Sequence, residues 1–268
     1  MSVKIGHASI DENGKASGGT AGDQNGKEVL TRSWYNKPWN VMLRPKSATV
    51  AELSAKACEA ACANPKVGYD QGGRNTLYAK AKAIGFDIAA ITEACECDCS
   101  SLMHVCAIAG GASLTYGSNG HTTRTMVKEF VASGDYEKFT DSKYLTSDQY
   151  LKRGDILVKE GSHTVMVLEN GSAVEVVEAP VVNLPLEDDT AIYSSVRLPV
   201  LMKGAESDVV KAMQMLLYCH GFNAPFFGRF DDRTEYALVE FQKAFNLKPN
   251  GKCDAETWSA LLGLTGVG

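Results

Sequence analysis

No run of residues in this chain is apolar for long enough to cross a bilayer. The opening Met1-Ser2-Val3-Lys4-Ile5-Gly6-His7 has no basic head, apolar stretch or small-residue cleavage site of the secretory kind. The product is therefore expected to accumulate in the cytoplasm of the cell that makes it, without membrane insertion. Clusters of Lys and Arg are also missing. Twenty-seven basic residues stand against 32 acidic ones, a net charge of −5, which argues against nucleic acid as a partner. There is no low-complexity tract, and no internal repeat is evident. Eight cysteines in 268 residues fall far below the density of a disulfide scaffold, and without a secretory signal the thiols are expected to be reduced. Zinc-knuckle spacing is lacking too, so neither a metal nor a cofactor is expected.

What is present is enough apolar residue, 44% of the chain, for one sizeable core and a small satellite. Residues 11–28 are rich in Gly, Asn and Asp and read as turns in a surface loop. The aromatic segment Trp34 to Trp39 follows, and its tryptophans are expected in the core. Four helices come next. The first starts near Thr49, where Thr49 and Glu52 have capping-box spacing, and carries Cys58 and Cys62 as small buried residues. The second runs from about Asn75 to Ile84, the third from Cys99 to Gly110-Gly111, and the fourth from about Thr123 to Ser133.

The period then changes to short β-branched segments: Gly154 to Val158, His163 to Leu168, Ala173 to Val177 and Tyr193 to Arg197. Asn170-Gly171 is a hairpin signal between two of them. Helices followed by antiparallel strands predict an α+β domain over 1–198, with 1–45 as an extended, Gly-rich opening. A short linker leads to three more helices, a small domain over 203–264 whose apolar faces hold Val209, Met213, Leu216 and Leu217, then Ala237, Leu238, Phe241 and Phe245, then Trp258, Leu261 and Leu262.

The densest chemistry is Cys95-Glu96-Cys97-Asp98-Cys99-Ser100-Ser101. A thiol in the first turn of a helix feels the positive end of the helix dipole and unpaired backbone N–H groups, which favour thiolate and can hold an oxyanion. Cys99 has that position, whereas Cys97 precedes the helix and Cys106 lies two turns inside it. A cysteine nucleophile needs an imidazole close by. His7 lies near a terminus, His220 belongs to the C-terminal domain, His104 is on the wrong side of the Cys99 helix, and His121 sits in a polar loop. His163 opens a strand directly after Glu160-Gly161-Ser162, which would hold its ring rigidly at a sheet edge. It is the expected base.

Asp98-Cys99-Ser100-Ser101 opening a helix, then Leu151-Lys152-Arg153-Gly154-Asp155-Ile156-Leu157-Val158, then His163 starting the next strand, resembles the NlpC-type cell-wall cysteine peptidases over roughly 66–177. More loosely, the Gly-rich opening and the segment Trp34 to Trp39 look like those of phage and prophage lysins that carry this domain. The resemblance implies papain-like helices packed on an antiparallel sheet. It also implies a third catalytic group that orients the imidazole, at Glu175 by family spacing. A two-residue turn at Asn170-Gly171 would place Glu178 opposite His163 instead, and both stay open. The family further places a Tyr near the oxyanion, and Tyr69 fits by context.

The C-terminal order Gly204, Val209, Gln214, Leu217, Gly221, Gly228-Arg229-Phe230, Thr234, Ala237, Phe241-Gln242, Leu247, Asn250-Gly251, Thr257-Trp258 closely resembles the peptidoglycan-binding domain found at the ends of wall hydrolases. Asp231 and Asp254 stand where that family has Gly, in turns that would call for positive φ. Cys219 and Cys253 share the domain, and their pairing stays open. The two resemblances together imply a peptidoglycan hydrolase of the endolysin type, acting at the wall after release, whose partners are the stem peptide and glycan of peptidoglycan. The implied bond is the γ-D-glutamyl link to the diamino acid. The alternatives are the N-acetylmuramoyl-L-alanine amide and a non-catalytic wall-binding role.

Overall fold

The computed structural model describes residues 2–174, 198–224 and 227–263. The chain divides into two units, Met1–Val174 and Glu175–Gly268. Among the described residues no helix is long and apolar enough to cross a membrane.

The first unit is α+β. Its strands are β1 (Lys4–Ala8), β2 (Val29–Ser33), β3 (Val41–Pro45), β4 (Val67–Tyr69), β5 (Cys95–Cys97), β6 (Tyr136–Phe139), β7 (Ile156–Lys159) and β8 (His163–Val167). Its helices are α1 (Ala48–Ala63), α2 (Thr76–Ala83), α3 (Cys99–Ala109), α4 (Met126–Ala132) and the single turn α5 (Ser142–Leu145). Six strands form an antiparallel sheet in the order β2-β1-β8-β7-β3-β6, and β4 pairs with β5 in a separate parallel ribbon. The opening 45 residues, expected only as extended chain, thus supply three of the six strands.

The position of β1 overturns the expected hairpin. β8 has β7 on one edge and β1 on the other, with Ile5 opposite Val167 and Gly6 opposite Met166. Neither edge is left for a strand returning from Asn170-Gly171, and residues 168–174 form no strand. Gly171 instead donates its N–H to Leu151 O. The expected strand at Ala173 to Val177 lies outside the described residues beyond Val174, as does all of Tyr193 to Arg197.

Strand alternation sorts the core. Ile5, Val165, Val167, Leu157 and Met42 pack on one face under Trp39, Leu145 and Leu151. Gly6 points to the other face, where a Cβ would lie 2.5 Å from Cys58 Sγ and 3.3 Å from Cys62 Sγ, so the glycine lets α1 lie close on the sheet. Cys62 is only half-buried, which corrects the fully buried reading. The cap of α1 also differs from expectation. Ser47, two residues before Thr49, accepts the Val50 N–H, because the helix starts about half a turn earlier than its apolar period suggests.

The segment Gly154-Asp155 proves to be framework. Gly154, at φ 91°, packs on Ala51, and the fully buried Asp155 accepts from Arg44 Nε at 2.8 Å and Arg44 Nη2 at 2.6 Å. Arg153 binds Glu52 and Glu59 of α1. These pairs fix the turn that launches β7 and β8.

The second unit contains α6 (Asp208–Cys219), α7 (Asp232–Ala244) and α8 (Ala255–Leu261) around Val210, Met213, Leu217, Phe230, Phe241 and Trp258. Phe245 and Leu262 are exposed rather than core, since each falls at or past a helix end. Asp231 and Asp254 have φ of −99° and −89° and act as N-caps, accepting from Thr234 N and Thr257 N. They are thus caps that leave no positive-φ turn to fill. Cys219 and Cys253 are both free thiols.

An internal repeat emerges that the sequence hid. The Gln214 amide donates to Arg229 O and Thr234 Oγ1 and accepts from Gly228 N; the Gln242 amide donates to Lys252 O and Thr257 Oγ1 and accepts from Gly251 N. Fourteen residues separate Gln214 from Gly228 but only nine separate Gln242 from Gly251, so no fixed period shows.

Candidate active site

Cys99 opens α3, and the local chain is built to start a helix there. Asp98 is extended, its Oδ1 accepts Ser101 N at 2.7 Å, and Ser101 Oγ accepts Asp98 N at 2.8 Å, a reciprocal capping box. Arg74, which no local signal singles out, clamps this cap. Its Nε lies 2.6 Å from Asp98 Oδ2, and its Nη2 donates to Ser100 Oγ and His121 O.

The sulfur faces the start of β8. The β1–β8 pairing ends at Gly6 and Met166, and the next inward-facing N–H on that side of β8, from Thr164, is directed at Cys99 Sγ. His163 is the residue before it. Burial pushes the Cys99 thiol up to about 12, and the Asp98 carboxylate pushes the same way; the N–H groups of Thr164 and Ser100 and the charge of Arg74 oppose them. The helix terminus alone therefore does not make a resting thiolate. Desolvation outweighs it.

His163 is 8% exposed, enclosed by Trp39 stacked at 6.3 Å between centroids. Burial lowers it to about 3, with His7, Lys37 and Arg32 adding repulsion. Its Nε2 lies 3.3 Å from Nδ1 of His7, and the two rings meet edge to face. His7 is held at about 4 by burial and by Arg32 and Lys37, and its Nε2 is buried without a partner. Tyr35 stands 6.4 Å from the His7 ring; burial raises its phenol against the pull of Arg32, and Cys99 lies near enough to add to the rise.

Tyr69 ends β4 directly opposite Cys97. Burial raises its phenol to about 12, and Cys99, Asp98 and Cys97 lie near enough to raise it further. Its hydroxyl accepts from Gln71 Nε2 at 3.2 Å. Tyr69 thus lies within electrostatic reach of Cys99, and His163 is the residue before the Thr164 whose N–H reaches the sulfur. Glu175 and Glu178 lie outside the described residues.

His7 was passed over in the sequence because of its place near a terminus. The signal that could have found it is strand alternation: Val3, Ile5 and His7 share one face of an apolar strand. The other expectations for cysteines and histidines resolve plainly. Cys97 is buried and donates to Gly68 O, and Cys106 is buried within α3. His104 is buried in a stack with Tyr116 at 4.8 Å and His121 at 4.9 Å. Among the described residues no three His, Cys, Asp or Glu side chains are arranged to hold a metal ion.

The loop at 11–28 lies beside this site on the β4–β5 ribbon. Its backbone N–H groups are taken up by carboxylates: Gly18 N by Asp70, Thr20 N by Glu12, Gly22 N by Glu96 and Gln24 N by Glu28. Glu96 is raised to about 7, by burial first and then by Glu28, Asp70 and Glu12 around it.

A family model described as an endolysin-like domain matches residues 5–174, and one described as a peptidoglycan binding domain matches 206–261. No curated protein matches. Among solved structures, the SleB N-terminal domain is 30% identical, covering 27% of this chain and 100% of that chain, with a TM-score of 0.25. A peptidoglycan-binding protein from Clostridioides difficile, in complex with glutamine hydroxamate, is 35% identical over 24% of this chain and 40% of that chain, with a TM-score of 0.23.

Proposed function

Because this chain belongs to the endolysin-like domain family and carries a peptidoglycan-binding domain, we propose that it is a cysteine-type peptidoglycan hydrolase that cuts an amide in the stem peptide, with Cys99 as nucleophile and His163 as acid and base. The bond is the γ-D-glutamyl link to the diamino acid, and the C-terminal unit holds the enzyme on the wall. Accumulation in the cytoplasm before release to the wall belongs to the same reading.

The observation that carries it is the approach of the Cys99 helix terminus to the start of β8, where the Thr164 N–H reaches the sulfur and His163 is the adjacent residue. Both groups are neutral at rest, so the proton leaves Sγ for the imidazole as sulfur attacks the carbonyl carbon. Backbone N–H groups at the helix terminus and the Tyr69 hydroxyl stand on the side where negative charge develops on the carbonyl oxygen. The imidazolium then gives its proton to the departing amine as the C–N bond breaks, leaving a thioester for water.

The test is digestion of purified sacculi by wild type and Cys99→Ala, with mass spectrometry of the soluble fragments. Wild type is expected to release peptides that begin with the diamino acid, and Cys99→Ala to bind sacculi without releasing any. Peptides beginning with L-alanine would indicate the muramoyl amide instead. Undiminished release by Cys99→Ala would end the cysteine mechanism.

A further inference from the structure

We propose that His7, delivered by the N-terminal strand, is the positioning residue that orients His163, in place of an acid downstream of it; the proposal rests on the Cys99–His163 reading above. Three observations converge on it. β8 lies between β7 and β1, and the ring that reaches the base comes from the β1 side, from His7. The two imidazoles meet nitrogen to nitrogen at 3.3 Å. Both side chains are more than nine-tenths buried, so water does not compete for the contact.

The tautomers follow from counting hydrogens. Two bare ring nitrogens at that distance would repel, so one carries the proton between them. His163 has only Nδ1 left to receive a proton from Cys99, so Nδ1 is bare at rest and the hydrogen sits on Nε2. His163 Nε2–H therefore donates to His7 Nδ1. That in turn puts the His7 hydrogen on its own Nε2, the buried atom without a partner. When Nδ1 accepts the thiol proton, His163 becomes an imidazolium and its bond to His7 becomes charge-assisted, strengthening as the sulfur–carbon bond forms. A neutral acceptor suits this enclosed pocket, walled by Tyr35 and Trp39, where a carboxylate would be costly to desolvate.

The experiment uses the full chain on purified sacculi, with His7→Leu, His7→Asn, Glu175→Gln and Glu178→Gln beside Cys99→Ala. His7→Leu fills the space without an acceptor, and kcat is expected to fall by roughly 10²-fold with KM unchanged. His7→Asn places an amide oxygen near the lost Nδ1 and is expected to recover part of that loss, whereas both Glu variants stay near wild type. Nitrogen-15 NMR of the wild-type histidines is expected to show His163 as the Nε2–H tautomer at neutral pH, an outcome that holds even where a variant fails to fold. Full kcat in a folded His7→Leu, a large loss in either Glu variant, or a His163 Nδ1–H tautomer would overturn the proposal. Retained activity in Cys99→Ala would instead remove the reading beneath it.

Discussion

Arg74 Nε lies 2.6 Å from Oδ2 of Asp98, and both side chains are nearly enclosed, so the cation sits directly on the residue that starts the nucleophile's helix. The same guanidinium also holds the carbonyls of Asn119 and His121, tying the 112–125 loop to that helix start. Removing one partner of a buried pair leaves the other charge uncompensated, typically at a cost of about 3–5 kcal/mol. Arg74→Met is therefore expected to lower the melting temperature and to speed amide exchange at Ser100 and Ser101. It should also slow Cys99 chemistry, since a charge that favours the thiolate is gone. An unchanged melting temperature with unchanged exchange would show that the clamp does not hold the helix start.

Thiol labelling should run against the usual expectation for a catalytic cysteine. With Cys99 held up to about 12 and Cys219 exposed, iodoacetamide at pH 7 is expected to modify Cys219 first and Cys99 slowly, with Cys97 and Cys106 slower still. Peptide mapping over a time course reads the order. Cys99 labelling ahead of Cys219 would mean that a preformed thiolate exists.

Trp39 shields His163, and its removal should be visible in the pH profile. The proposed base works when neutral, so a His163 pKa lowered to about 3 is expected to keep activity through the mildly acidic range. Trp39→Ala admits water, weakens the desolvation that is the largest cause of that shift, and moves the pKa back toward 6.5. The acid limb of kcat/KM is expected to move upward in pH, with destabilisation of about 3–5 kcal/mol from the lost core ring. An acid limb that stays in place would show that Trp39 packs without governing the base.

Glu96 gives the loop at 11–28 its own pH response. Its folded pKa, about 7, stands above the unfolded carboxylate value, so the folded state holds this proton more tightly. That stabilisation is present below about pH 4.5 and is lost as pH rises toward 7. A fall in melting temperature on titration from pH 5 to 8 is expected from this group. Glu96→Gln keeps an acceptor for the Gly22 N–H and should flatten that part of the curve while raising stability at pH 8. If Glu96→Gln is less stable than wild type at pH 8, the charge is compensated by a group outside this cluster.

In the C-terminal unit, Gln214 serves Arg229, Thr234 and Gly228, and Gln242 serves Lys252, Thr257 and Gly251 in the same way, with Asn250 besides. Gln214→Leu and Gln242→Leu should each destabilise the unit by roughly 1–3 kcal/mol, since the Gly228 and Gly251 N–H groups lose their acceptor. Comparable losses at the two sites in chemical denaturation would establish the equivalence of the repeats, and a negligible loss at one would refute it.

Much of this was legible in the residues. Cys99 could be placed at a helix start because Leu102, Val105, Cys106 and Ala109 follow it at helical spacing and Gly110-Gly111 closes the helix, all local signals. His163 followed from the turn ahead of it. What escaped notice was non-local. Nothing near Lys4 to Ala8 says which strand it will join, and Asn170-Gly171 offered a nearer partner that the sheet did not use. Arg74 is an ordinary helix-flanking arginine until the fold brings Asp98 to it. The repeat was hidden by unequal loops. The thiolate argument went astray for a related reason: a helix terminus can be read from sequence, but how far water is kept from it cannot.

The pairing of β1 with β8 closes a loop of more than 150 residues. A chain must therefore search a long separation before its two buried imidazoles meet, and contacts of that kind form late and slowly. A partly made or partly unfolded chain has Cys99 on its helix but no assembled base beside it. Assembly of the proposed site is thus tied to completion of the fold, and a label or fusion that disturbs residues 4–8 is expected to act on it from the far end of the unit.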